Sequence, residues 1–227
     1  MEEKKYKKLK YLISYPEKFN NTGQYPLWIH LHGSGGRGND VTLLKTSRPI
    51  REMEKRRKLP FIVIAPQCYA DTWFEIMEQL LEFIQASIRS KNIDRSRVYL
   101  SGVSMGGYAC WSVVMSRPEW FAAAMPICGG GMYWNASRLK DVPIWAFHGR
   151  LDRTVFVCES EHMVDAINKA GGNARLTIYD NLAHDSWTRT FANDEIYEEH
   201  TPFRMGTSYS LIFLINRQKS TANRLRS

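Results

Sequence analysis

The chain has 227 residues, 44% of them hydrophobic and 24% charged, with fifteen glycines, nine prolines and four cysteines, which excludes collagen, coiled coil and wholesale disorder. A chain of this length can form one α/β domain with a large buried core. The net charge of +8 sits at the ends, because residues 1–10 carry five Lys against two Glu, residues 201–227 carry five Lys or Arg and no acid, and residues 11–200 balance 21 basic against 21 acidic side chains; without a basic groove in the body, nucleic acid is not an expected partner.

The opening MEEKKYKKLK has charge but no apolar stretch after it. It therefore does not read as a secretory leader, and a cytoplasmic location is the default expectation. A first strand is expected over 11–15 and a second, almost wholly apolar, over 27–32. After the second comes Gly33-Ser34-Gly35-Gly36-Arg37-Gly38. Its glycines match neither the dinucleotide nor the phosphate-loop spacing, so no cofactor is expected there. A His-Gly-rich loop at a strand end instead suits backbone amides aimed at a developing oxyanion, and Ser34 and Met105 are the expected donors, with Gly35 the alternative to Ser34. His32, leaving a buried strand, reads as structural. The basic stretch 51–58, REMEKRRK, reads as a solvated helix face before the next strand, 61–66.

Gln67 follows that strand and can either shape a pocket or satisfy loop backbone. A helix is expected over 71–89 and a strand over 98–102. Gly102-Val103-Ser104-Met105-Gly106 comes next, with a helical pattern over 105–116 behind it. A G-x-S-x-G between strand and helix describes a nucleophile elbow, in which the serine takes a strained turn and the glycines let backbones approach. Strands are then expected over 122–128, 144–148 and 175–179, and helices over 157–170 and roughly 186–199. Only residues 129–142 separate two of those strands, which leaves no room for a lid domain. The expected fold class is thus α/β, a mostly parallel sheet of about seven strands flanked by helices, with residues 1–200 as one domain and 201–227 as a basic tail.

In enzymes built on such an elbow, the acid and then the base follow the serine along the chain. Asp152, in HGRLDRTV, and His184, in DNLAHDSW, each lie just past a strand. His184 is the expected base and Asp152 its orienting acid. His148 looks structural, His162 falls in a helix, and His200 lies shortly before Pro202; Asp185 adjoins His184 and reaches its ring poorly, while Asp180 sits before the loop. Cys68, Cys110, Cys128 and Cys158 have no metal-ligand or C-x-x-C spacing and read as buried thiols, so no metal is expected. No apolar run near the ~20 residues that span a bilayer occurs; residues 211–215 form only a five-residue run, and no membrane partner is expected.

Taken together, LHGSGGRG, GVSMGG, HGRLDRTV and AHDSW resemble the α/β-hydrolase superfamily. The chain is similar, more narrowly, to the dienelactone hydrolase-like and feruloyl-esterase-like serine esterases, including the phospholipase/carboxylesterase and predicted-peptidase groups. The resemblance spans about residues 25–199. It implies the α/β-hydrolase fold and a serine carboxylic-ester hydrolase without metal or organic cofactor. Dienelactone hydrolase proper uses a cysteine where this chain has Ser104, so its lactone substrate is not carried over. Such relatives often begin with a two-stranded antiparallel edge, whereas here only one strand is visible before residue 27.

Without a lid, an open cleft for a bulky or polymer-linked ester is expected rather than an interfacially activated lipase. Trp73, Tyr133, Trp134 and Trp187 fall in loops bordering that cleft and can stack on a sugar or an aromatic acyl group, although Trp73 and Trp187 can equally be core residues. The resemblance implies small-molecule or carbohydrate-linked esters, such as acetyl or feruloyl xylan, as partners. A serine peptidase on the same three residues, or a non-catalytic binding module, is the alternative.

Overall fold

The computed structural model describes residues 1–56, 58 and 60–197. The expected tail 201–227, the end of the helix expected to residue 199, and His200 lie outside the described residues. Runs such as 27–31 and 62–66 are apolar at almost every position, so both of their faces must be covered. The strands are β1 (Glu2–Tyr6), β2 (Leu9–Ser14), β3 (Tyr25–Leu31), β4 (Ile62–Pro66), β5 (Ile93–Val103), β6 (Ala123–Ile127), β7 (Ile144–Gly149) and β8 (Ala174–Tyr179). They form one eight-stranded sheet in the order β1-β2-β4-β3-β5-β6-β7-β8. The hairpin β1-β2 and the pair β2-β4 are antiparallel, and every other pairing is parallel.

On one face lie α3 (Met77–Ile88), α4 (Met105–Ser116) and α5 (Cys158–Lys169), and on the other α1 (Thr42–Lys45), α2 (Arg48–Lys55) and α6 (Trp187–Ala192). Alternation along β3 shows the division. Leu27, Ile29 and Leu31 join the core under α3, α4 and α5, while Trp28 joins Leu44, Ile50, Met53 and Phe191 on the opposite side. Each such fully buried side chain contributes about 1.5–3 kcal/mol relative to an exposed one. This is the α/β-hydrolase architecture expected, with no large cap among the described residues.

Local expectations needed correction in four places. The charged N-terminus, where no strand was expected, is the edge strand β1, turned back onto β2 at Lys7 (φ 52°). Its side chains are mostly exposed, so it has no apolar run to reveal it, and charges along an open edge discourage pairing with other chains. The helix expected from residue 71 starts at Met77, because the Thr72 amide and hydroxyl both donate to the Glu75 carboxylate at 2.9 Å and make a turn first. The last helix stops at Ala192, where Asn193 accepts the Glu195 amide at 3.1 Å and opens a short 3-10 turn.

The basic stretch beginning at Arg51 is no freely solvated face either. Ile50 and Met53 are buried, and so is Glu52, which Arg48, Lys55 and Arg56 surround at 2.8, 2.9 and 3.0 Å. Burial alone would raise the Glu52 carboxyl, but these cations outweigh it and hold the group below its usual range.

Candidate active site

Ligands on sheets of this kind bind beyond the carboxyl ends of the parallel strands, and the loops that leave β3, β5, β7 and β8 meet there. Ser104 follows β5 directly and adopts φ 55°, ψ −117° before α4 begins at Met105. A non-glycine residue there carries about 1–3 kcal/mol of strain and persists only where its surroundings impose it. The Ser104 amide donates to the Ile127 carbonyl at 2.9 Å, and the Tyr108 amide donates to the Ser104 carbonyl at 3.0 Å. Tight backbone crossings complete the turn. A Cβ at Gly106 would collide with the carbonyls of Leu31 and His32, and one at Gly102 with the carbonyl of Gly106.

Asp152 leaves the turn after β7, with its side chain fully buried. Its Oδ1 accepts the amides of Thr154 and Val155 at 2.9 and 3.0 Å, which leaves Oδ2 for an imidazole. His184 arrives on the loop after β8; the Leu151 amide donates to the Leu182 carbonyl at 2.9 Å and ties the two loops together. Nδ1 of His184 donates to Asp152 Oδ2 at 2.7 Å, and Ser104 Oγ donates to Nε2 at 2.8 Å. Burial by itself would raise the Asp152 carboxyl, but the hydrogen bonds from His184, Val155 and Thr154 prevail and hold it below the usual carboxylate range. A charged acceptor on Nδ1 fixes the tautomer that leaves Nε2 free to take a proton.

The rival groups are engaged elsewhere. His148 is fully buried, with Nδ1 2.8 Å from Ser160 Oγ and Nε2 2.9 Å from the Val155 carbonyl and 3.3 Å from Asp152 Oδ2. His162 packs on the Tyr133 ring, Asp180 pairs with Arg150 at 2.6 Å, and Asp185 accepts from the Thr188 amide and hydroxyl at 2.9 Å.

The loop after β3 makes a 3-10 turn over Ser34–Gly36. Among the described residues the amides of Ser34 and Met105 donate to no backbone carbonyl. Four side chains, only one of which was expected to serve the loop, hold it in place. His32 donates from Nδ1 to the Gly33 carbonyl at 2.6 Å and accepts the Cys68 amide on Nε2 at 2.9 Å, a structural role. Gln67 donates to the carbonyls of Gly36 and Asp40 at 2.9 and 2.8 Å, so of its two readings backbone support prevails over pocket shaping. Trp73, read as a rim residue or a core one, is 0% exposed and donates to the His32 carbonyl at 3.0 Å. Arg37 donates to the Ser34 carbonyl at 3.0 Å and to the Asp71 carbonyl at 3.1 Å.

A groove of about 220 Å³ opens beside Ser104 and His184, between the Gly33–Gly36 loop and the segment carrying α1 and α2. Trp187 lines it, edge-on to His184 at 5.4 Å and 87°. Trp134 does not line it and stands 73% exposed on another turn. The walls that sequence reasoning missed are Leu43, Leu44, Pro49, Val103 and His30. The order Ser47-Arg48-Pro49, suited to a helix start, was the available signal for part of them. Cys68, Cys110 and Cys128 are buried thiols as expected, whereas Cys158 is only half-buried. Among the described residues no three His, Cys, Asp or Glu side chains gather in a way that could hold a metal ion, and no helix is long and apolar enough to cross a membrane.

Two of the buried histidines give the protein an acid limit. Burial lowers His30 to about 3 and His32 to about 4, against about 6.5 in an unfolded chain. Between these values the unfolded chain binds more protons than the folded one, so stability is complete above pH 6.5 and declines as the pH falls toward 4. The expected loss is about 2–3 kcal/mol per histidine at pH 4. Urea titrations at pH 7, 5.5 and 4.5 measure it, and a constant unfolding free energy across the three would contradict the burial argument.

The family model described as phospholipase/carboxylesterase matches residues 67–195. A protein named probable feruloyl esterase C, from Aspergillus terreus, is 28% identical over 127 residues, which cover 53% of this chain and 46% of that protein. This chain thus spans about half the length of the curated relatives it matches. The crystal structure of a thermostable esterase aligns with TM-score 0.75 and 34% identity over 82% of this chain and 57% of its own. Est1E from Butyrivibrio proteoclasticus shares the fold, with TM-score 0.65 at 14% identity over 93% of this chain and 95% of its own.

Proposed function

We propose that this chain, which belongs to the phospholipase/carboxylesterase family of the α/β-hydrolase superfamily, is a serine carboxylic-ester hydrolase whose nucleophile, base and acid are Ser104, His184 and Asp152. The observation that carries the reading is the continuous run from Ser104 Oγ through the His184 ring to Asp152, at 2.8 and 2.7 Å, on a serine held at φ 55°.

The reaction proceeds in two halves. Ser104 Oγ attacks the ester carbonyl carbon as its proton passes to His184 Nε2, and the amides of Ser34 and Met105 hold the oxygen that becomes negative. Asp152 keeps the imidazole oriented and stabilises the imidazolium. His184 then returns the proton to the departing alcohol, leaving an acyl-serine. A water molecule attacks that acyl group with His184 again as base, which releases the acid and restores the serine. The proposed substrates are esters of short or aromatic acids, including acyl groups carried on carbohydrate; relatives named as probable feruloyl esterases support this choice.

The expected result is hydrolysis of p-nitrophenyl acetate and butyrate faster than any member of an aminoacyl-anilide panel, together with labelling of Ser104 by a fluorophosphonate. Faster anilide cleavage would transfer the reading to a peptidase. Folded protein that takes up no label would point to a non-catalytic binding module.

A further inference from the structure

We infer that His30 is a specificity-determining residue that presents its Nε2–H, from the buried wall of the groove, to a neutral acceptor oxygen on one arm of the ester. The inference deepens the ester-hydrolase reading and rests on it for the identity of the ligand.

His30 occupies a position where alternation along β3 calls for an apolar residue. It shares its face of the sheet with Trp28 and meets the edge of Phe191 at 5.3 Å, and only 2% of its surface is exposed. It nonetheless lines the groove. Nδ1 lies 2.9 Å from Ser101 Oγ, and that oxygen already accepts Trp28 Nε1–H at 2.9 Å. The Ser101 proton has two acceptors within reach, His30 Nδ1 at 2.9 Å and the Ile29 carbonyl at 3.5 Å. The short contact is the better hydrogen bond, which makes Nδ1 an acceptor and puts the ring proton on Nε2.

Nε2 has no hydrogen-bond partner among the described residues. With no protein partner there, this N–H is left for an oxygen that enters the groove His30 lines. Burial also holds this imidazole down at about 3, so near neutral pH it is an uncharged single donor. Leu43, Leu44, Pro49, Val103 and Trp187 supply apolar walls, and among the described residues neither Lys nor Arg lines the groove. The arm that fits has an apolar body and an uncharged acceptor such as a methoxyl, a hydroxyl or a ring ether. Among those described lining residues a carboxylate would find no Lys or Arg.

Two series of aryl esters test this, each pairing an ether oxygen with a methylene in its place, one series varying the acid and the other the alcohol. In wild-type protein the ether member is expected to lead by about tenfold in kcat/KM in one series, which identifies the arm that enters. His30→Phe should bring that ratio close to one, and His30→Gln should keep part of it. A ratio near one in both wild-type series, or an unchanged ratio in His30→Phe, overturns the inference.

If His30→Phe does not fold, two measurements on proteins with His30 intact still decide. In 15N-labelled wild type the ring should show the Nε2–H tautomer, and an Nδ1–H tautomer overturns the donor assignment. Calorimetry of Ser104→Ala with the same pairs should give about a tenfold Kd ratio. Retention of that ratio alongside absent turnover in wild type would sink only the hydrolase reading, whereas equal Kd values within both pairs would sink the subsite.

Discussion

Replacing Ser104 by Ala is expected to reduce kcat/KM on any ester the wild type hydrolyses by more than about a thousandfold, with little change in the unfolding midpoint. Alanine at φ 55° is as strained as serine, so the elbow keeps its geometry while losing the hydroxyl 2.8 Å from His184 Nε2. His184→Ala should cost a similar factor. The double variant should be scarcely worse than either alone, because in the proposed mechanism Ser104 and His184 act as one unit. Asp152→Asn belongs to the same set, since it removes the charge that receives Nδ1–H at 2.7 Å. Steady-state kinetics with unfolding curves on each variant decide the matter. Residual activity within tenfold of wild type in Ser104→Ala would show that hydrolysis occurs elsewhere.

The second large effect is structural. Gly106→Ala is expected to destabilise the fold by more than about 3 kcal/mol or to prevent its accumulation, as overpacking against rigid backbone does at its most severe. The added Cβ would strike the carbonyls of Leu31 and His32, where α4 crosses the end of β3, and neither can yield without moving the sheet. Gly35→Ala is the internal control. Nothing lies within 4 Å of a Cβ built there, and its stability should stay within about 1 kcal/mol of wild type. Urea unfolding of the two variants side by side provides the measurement; equal stabilities would show that the crossing adapts.

The two predictions draw on features of different legibility. The elbow could be read directly, because a strand period, two glycines around a serine and a helical period are local and lie within about a dozen residues. Asp152 and His184, the proposed acid and base, could be read only as places past strand ends. Their preference over His148, Asp180 and Asp185 followed from spacing, and the distances that distinguish them arise where the loops after β7 and β8 cross. The edge strand β1 was illegible for a physical reason, since a strand with mostly exposed, charged side chains leaves no apolar alternation to detect.

By itself, then, the order of residues determined the α/β class, the strand-loop-helix setting of Ser104 and the pairing of a glycine loop with it, all of which follow from short-range periodicity and from backbone needs that glycine alone meets. Tertiary structure decided what each aromatic and polar side chain near the cleft does. It turned Trp73 inward to brace the loop after β3, committed Gln67 to backbone carbonyls, brought α1 and α2 over the cleft as a wall, and left one nitrogen of His30 without a partner among the described residues. Those outcomes depend on which residues meet across the sheet, and strand register and packing over tens of residues set that, beyond the reach of any local pattern.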